Sequence, residues 1–243
     1  MAIRSVYVPE PRMDAGRIRI RDEEHRHLLV ARLRVEEPLE IFDGKGNVWE
    51  GVTTSIEKRE TVVHVQSSHH VAPDPHELIL GLSLIRSSVF EYAMEKAVET
   101  GVTRFIPLVA ARSNIKDSGR GSHLRERWGR IIVEAAKQSK RYYLPIIDET
   151  RSFEAALEIE AQTKIIFAER DGGPLKPSLR GSPVLYLVGP EGGWTHSEVD
   201  SAVKQGFSPV GLGPTILKAE TAAVVATALI RYELALQKST EGM

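Results

Sequence analysis

Two glycine-bearing loops near the C-terminal end carry the residues best suited to hold a ligand. They are Gly189-Pro190-Glu191-Gly192-Gly193 and Gly213-Pro214-Thr215-Ile216-Leu217-Lys218-Ala219-Glu220-Thr221. Glycine lets backbone amides and carbonyls come close to a ligand or to another loop. Each loop follows a short apolar run, Val184–Val188 and Val210–Leu212. In α/β folds, ligands sit outside the carboxyl ends of parallel strands. The two loops are therefore expected to floor one binding site. Neither completes a phosphate motif. Gly193 is followed by Trp194-Thr195 rather than Lys-Ser/Thr, and Gly211-Leu212-Gly213 lacks the third glycine of a dinucleotide fingerprint. A pair of tight turns is the plain alternative, and two such loops after consecutive strands weaken it.

A second constellation is cationic. Arg112, Lys116, Arg120, Arg125, Arg127, Arg130, Lys137, Lys140 and Arg141 stand against Asp117, Glu126 and Glu134, and Tyr142-Tyr143 follows. Cations neutralise phosphates and aromatic rings stack bases, so this segment suits single-stranded or looped RNA. A solvated helix face is the alternative. Arginines also recur near the N-terminus, among them Arg4, Arg32 and Arg34.

Other chemistries find no support. There is no Gly-x-Ser-x-Gly elbow. The 8 histidines never take His-Glu-x-x-His spacing, and no metal site is indicated. With 0 cysteines, disulfides, thiolate zinc sites and cysteine nucleophiles are excluded. The net charge of −1 does not advertise a nucleic-acid binder, so any such partner must be met by local clustering. No apolar run approaches the ~20 residues that span a bilayer. Residues 1–12 lack the apolar core of a signal peptide, and a cytoplasmic protein without a membrane partner is expected.

The elements that would position these loops follow from periodicity. Residues 1–72 read as a β-rich domain. Apolar runs at Ser5–Val8, Arg17–Ile20, Leu39–Phe42, Val48–Ile56 and Thr61–Val65 suggest a small barrel or sandwich. Asp43-Gly44-Lys45-Gly46 reads as a hairpin turn, and Asp22 as the N-cap of a short helix ending near Arg34. Pro73 and Pro75 break the pattern, and a second domain, 73–243, begins there. Its strand–helix alternation implies an α/β fold with a parallel sheet. Strands are predicted at Leu78–Ile85, Val102–Val109, Lys164–Ala168, Val184–Val188 and Phe207–Leu212. Capping-box spacing at Ser88/Glu91 and Thr195/Glu198 marks two helix starts. Leu124–Ser139 and Ser152–Ile159 read as helices. So does Glu220–Gln237, which is apolar almost all round and thus buried on several sides.

These residues together resemble the RsmE family of the SPOUT superfamily, AdoMet-dependent methyltransferases acting on N3 of a uridine in small-subunit ribosomal RNA. The likeness is strongest in Leu187–Gly193 and Leu212–Ala222, with support from Met94–Val102, Pro107, Arg112-Ser113, Arg127-Trp128, Glu134–Ser139, His27–Arg34 and Phe42–Gly46. It implies a PUA-like β-barrel RNA-binding domain followed by a SPOUT α/β domain with a trefoil knot. It also implies a homodimer whose partner subunit completes the site. The cofactor implied is S-adenosyl-L-methionine, held by Val188, Gly189, Pro190, Glu191, Gly192, Gly193, Leu212, Gly213, Ile216, Leu217, Lys218 and Thr221. Catalytic roles fall to Glu191, Lys218 and Arg112. Contacts to the RNA or ribosomal subunit fall to Arg4, Arg32, Arg34, Arg112, Lys116, Gln138 and Arg141. The chain departs from the family at Thr215 and Lys218, where the family often has arginine. Glu191 can instead cap the following helix. Another SPOUT specificity (ribose 2′-O or another base) and a non-catalytic RNA-binding assembly factor are the alternatives.

Overall fold

The computed structural model describes residues 3–113, 121–169 and 172–241. Contacts divide the chain into two compact units. One comprises residues 1–73 and 133–144, the other 74–132 and 145–243.

The first unit is built on a six-stranded sheet. Its strands are β1 (Arg4–Tyr7), β2 (Met13–Asp14), β3 (Arg17–Arg21), β4 (Pro38–Phe42), β5 (Asn47–Ile56) and β6 (Glu60–His70), with helix α1 (Asp22–Val30) between β3 and β4. The order is β1-β4-β5-β6-β3-β2. Only the β1–β4 pairing is parallel. Strict alternation in Arg17-Ile-Arg-Ile-Arg21 puts Ile18 and Ile20 in the core and the arginines outside. Asp22 does not cap α1. Arg21 holds the N-cap position without a side-chain bond, and Asp22 takes φ +53°. Asp22, Glu23 and Glu24 instead place negative charge in the first turn, where the helix dipole favours it.

The predicted turn at Asp43–Gly46 joins β4 to β5. Asp43 Oδ1 accepts from the amides of Lys45 (2.8 Å) and Asn47 (3.1 Å). Gly46 adopts φ +92°, and a Cβ there would fall 2.6 Å from Tyr143 Cζ. Residues 142–144 run against this turn: Gly46 N donates to Tyr142 O (2.9 Å) and Leu144 N to Gly44 O (3.1 Å).

The second unit holds a seven-stranded sheet, parallel at every pairing. Its elements are β7 (Leu78–Ser83), α2 (Ser87–Thr100), β8 (Arg104–Val109), α3 (Gly121–Ser139), β9 (Ile146–Ile147), β10 (Arg151–Ser152), α4 (Phe153–Leu157), β11 (Thr163–Phe167), β12 (Val184–Val188), α5 (His196–Lys204), β13 (Ser208–Val210) and α6 (Ala219–Glu241). The order is β10-β8-β7-β12-β11-β13, with β9 beside β8. The boundary between the two units falls within α3, after Ile132.

Every residue of β7 and β12 is buried, as continuous apolar runs covered on both faces require. Ile79, Leu185 and Leu187 face a core shared with Phe153, Ala156, Leu157 and Ala202 of α4 and α5. Tyr186 points the other way and meets α6, its hydroxyl 2.8 Å from Thr227 Oγ1. Gly81 is needed in β7, because a Cβ would collide with Leu187 and meet Leu108. α2 ends at Gly101, whose φ of +119° is the left-handed conformation that glycine adopts at a helix terminus. Its start differs from the Ser88/Glu91 capping box. Arg86 occupies the N-cap with no side-chain bond. Glu91 is drawn away to accept from Ser87 Oγ (2.9 Å) and Arg127 Nη2 (2.6 Å).

Candidate functional site

All strands of the second sheet run parallel, so their carboxyl ends share one edge. The Gly189–Gly193 loop leaves that edge from β12. Pro190 is buried and Glu191 and Gly192 are exposed. The loop closes on itself, with Gly193 N donating to Pro190 O at 2.8 Å and Gly193 at φ +65°. Trp194 backs it. A Cβ on Gly189 would lie 3.1 Å from the indole, whose Nε1 donates to Phe167 O at 3.0 Å. The ring also stacks obliquely on Phe153, centroids 5.1 Å apart. Helix α5 then starts with the predicted capping box. Thr195 Oγ1 accepts from Glu198 N (3.2 Å), and Glu198 Oε2 accepts from Thr195 N (2.7 Å). Capping is thus the work of Thr195 and Glu198 rather than Glu191.

The loop after β8 reaches the same place. Glu198, buried, accepts from Ala111 N through Oε1 at 2.9 Å. Arg112 Nη1 donates to Gly192 O at 2.7 Å and to Trp194 O at 3.4 Å. Arg112 is therefore fastened to the backbone of the first glycine loop. Its side chain also explains Gly192, where a Cβ would come within 3.3 Å of Arg112 Cδ.

β11 separates β12 from β13, so the second loop leaves the edge two strands away. Gly172-Gly173 packs against the end of β13: Gly173 N donates to Pro209 O, and Gly211 N to Gly173 O, both at 3.0 Å. A Cβ on Gly172 would collide with Gly211, so the approach needs glycine. Gly213 has φ +116° with no atom within 4 Å of a notional Cβ, and the same open space lies beside Gly193. Ile216 is 78% exposed, unusual for a side chain of its size. Leu212 and Leu217 are half-buried, whereas Lys218 and Thr221 are exposed. Lys218 O accepts from Ala222 N at 2.8 Å and opens α6.

The remaining sequence-predicted residues lie elsewhere. Arg4, Arg32, Arg34 and Gln138 are exposed in the first unit, and Arg141 is half-buried there. Arg4 Nη1 caps Ala31 O at 2.9 Å, near the end of α1. Lys116 falls outside the described residues.

A network the sequence does not reveal sits beside Gln138 and Arg141. Buried Glu40 accepts from Ser5 Oγ, Lys140 Nζ (2.9 Å) and Tyr142 Oη (2.9 Å). Burial raises the Glu40 pKa, but the three donors outweigh it and hold the group below the usual carboxylate value. Burial and the Glu40 carboxylate together push Tyr142 up to about 12. Glu24, His27 and Glu134 also converge. Lys137 Nζ already bonds both carboxylates, Glu24 at 3.0 Å and Glu134 at 2.9 Å.

Comparison with known proteins decides the family. Residues 72–231 match the model of an RNA methyltransferase domain. The ribosomal RNA small subunit methyltransferase E of Synechocystis is 33% identical over 239 residues, covering 95% of this chain and 77% of that protein. The chain belongs to the RsmE family. The Bacillus subtilis member is also 33% identical, over 179 residues covering 69% of this chain and 70% of that one. Among solved structures, the Neisseria gonorrhoeae family member bound to S-adenosyl methionine aligns with TM-score 0.87 and 29% identity, over 95% of this chain and 98% of that one. The RsmE family lies within the SPOUT superfamily, and its members use S-adenosyl-L-methionine as methyl donor. No helix is long and apolar enough among the described residues to cross a membrane.

Proposed function

We propose that this chain methylates N3 of a specific uridine in small-subunit ribosomal RNA. The observation that carries the reading is the pair of glycine loops at the carboxyl edge of one parallel sheet, in a chain of the RsmE family. The residues fit S-adenosyl-L-methionine. Open space beside Gly193 and Gly213 leaves room for a ligand to approach the backbone, and the exposed apolar Ile216 offers a face for a flat ring. That donor supplies a methyl group already electrophilic on its sulfonium.

The protein's own contribution is orientation and proton handling. Val188–Gly193, Leu212, Gly213, Ile216, Leu217, Lys218 and Thr221 hold the donor, largely through backbone. Methyl transfer forms the N3–carbon bond, breaks the carbon–sulfur bond and releases the N3 proton. Exposed Glu191 is assigned to accept that proton or to bond the donor's ribose or amino acid. Exposed Lys218 is assigned to stabilise charge growing on the uracil oxygens. Arg112 serves the site from the β8 loop, with its guanidinium on Gly192 O.

The mostly antiparallel sheet of residues 1–72 supports a PUA-like barrel that binds RNA, with Arg4, Arg32 and Arg34 on its surface. Lys116, Gln138 and Arg141 complete the proposed RNA contacts. Residues 73–243 form the SPOUT domain, with a trefoil knot around the two loops. The exposed apolar side chains Leu229, Tyr232 and Leu236 on α6 support a homodimer. The protein acts in the cytoplasm, where ribosomal subunits assemble. Calorimetry with S-adenosyl-L-methionine and its demethylated product tests the donor site. Saturable heat with both is expected, and absence of heat with either contradicts the assignment.

A further inference from the structure

The opposite edge of the parallel sheet carries a basic, polar cleft that the proposed methyl transfer does not use. There, the amino ends of β11 and β13, the 176–180 segment and the end of α5 frame a cleft of about 220 Å³. Its polar lining is Gln162, Lys164, Ser178, Arg180, Gln205 and Ser208, with no carboxylate among the lining residues. Lys164 is half-buried, its ammonium 3.4 Å from Leu157 O and 5.7 Å from the Phe207 ring centroid. The Arg180 backbone is fixed at both ends. Its amide donates to Thr163 Oγ1 and its carbonyl accepts from Gln162 Nε2, each at 2.9 Å. The Arg180 side chain is exposed. Two further exposed cations stand near lining residues in the chain, Lys176 two positions before Ser178 and Lys204 next to Gln205.

Among the described cations elsewhere in this unit, Lys96, Arg104, Arg125, Arg127, Arg151 and Arg231 each hold a carboxylate, whereas Arg86, Arg112, Arg130 and Lys218 form no ion pair. Lys164, Lys176, Arg180 and Lys204 form no ion pair among the described residues. A guanidinium fork, ammonium groups, amides and hydroxyls around a carboxylate-free cleft match the donor set that an oxyanion of phosphate takes.

We infer that this cleft is a second docking point for the RNA, gripping a phosphodiester of the backbone at the sheet edge away from the methyl-transfer loops. The inference rests on the RNA-methyltransferase reading. A phosphate contact there fixes the position of the RNA without reading its sequence.

The test is the double charge reversal Arg180→Glu/Lys204→Glu, with Arg180→Gln alone as the milder variant. RNA affinity is measured by anisotropy against salt, using small-subunit RNA that lacks the modification. AdoMet affinity and kcat at saturating RNA are measured in parallel. The double variant is expected to weaken RNA binding about tenfold and to flatten the log-log salt slope by about one to two. AdoMet affinity and kcat should stay at the parent values, while KM for RNA rises. Arg180→Gln should show a smaller change of the same kind. Unchanged RNA affinity and slope in both variants overturn the inference. So does saturable binding of inorganic phosphate that depends on Arg180 while RNA binding does not, since the cleft then serves a free anion. Failure of the parent protein to bind AdoMet would instead overturn the methyltransferase reading itself.

Discussion

Arg112 is the residue whose part changes most once its surroundings are known. Its spacing beside a basic segment suggests an RNA contact, yet its guanidinium donates to Gly192 O at 2.7 Å. An exposed hydrogen bond of this kind contributes about 1 kcal/mol. Arg112→Ala is therefore expected to weaken AdoMet binding about fivefold, measured by calorimetry, as well as lowering methylation. Loss of methylation at unchanged AdoMet affinity would assign Arg112 to RNA alone. Glu198 makes a sharper structural prediction. It closes the capping box and bonds Ala111 N from a buried position. Glu198→Ala should cost about 2 kcal/mol, read as a lowered Tm, because it strips the cap and strands the Ala111 amide. The Thr195/Glu198 spacing is legible in sequence because capping is local. The partnership with Ala111 is not, because it joins residues 87 apart.

At the scale of elements, periodicity locates most of the longer strands and helices, since burial on one or both faces leaves its period in the chain, whereas the two-residue strands β2, β9 and β10 are too short to carry one. Helix starts are less legible. At α1 and α2 the sequence offers Asp22 and Ser88 as caps, while the structure places Arg21 and Arg86 there. Tertiary pairing of Glu91 with Arg127 outweighs the local capping preference. The grouping of residues 133–144 with the N-terminal unit leaves no periodic signal either. It depends on Lys140 and Tyr142 meeting Glu40, about a hundred residues away. That junction gives a pH prediction. Glu40 is held below 4.5 in the folded chain, so its stabilisation is complete above the unfolded pKa and fades as pH falls through the lowered value. Tyr142 is raised from 10 to about 12, so its share is present below 10 and fades as pH climbs toward 12. Glu40→Gln should lower stability by about 2 kcal/mol at neutral pH and blunt the acid loss, measured by denaturant titration across pH. An unchanged acid limb would show that Glu40 does not govern it. On the other unit, Tyr186→Phe should cost about 1 kcal/mol by removing the buried bond that ties α6 to β12. An unaltered Tm would show that packing alone holds α6.

For the whole molecule, one shared strand direction organises the proposed site. The parallel sheet gathers both glycine loops at one edge because all its strands share a direction. That much follows from strand–helix alternation in the sequence. The proposed trefoil knot leaves no periodic signature in the chain. The most direct measurement is mass-spectrometric mapping of small-subunit RNA from a strain lacking this protein, before and after incubation of the subunits with the purified chain and AdoMet. The account predicts one added methyl group, on N3 of a single uridine. A methyl group on a ribose oxygen or another base, or none at all, would contradict it.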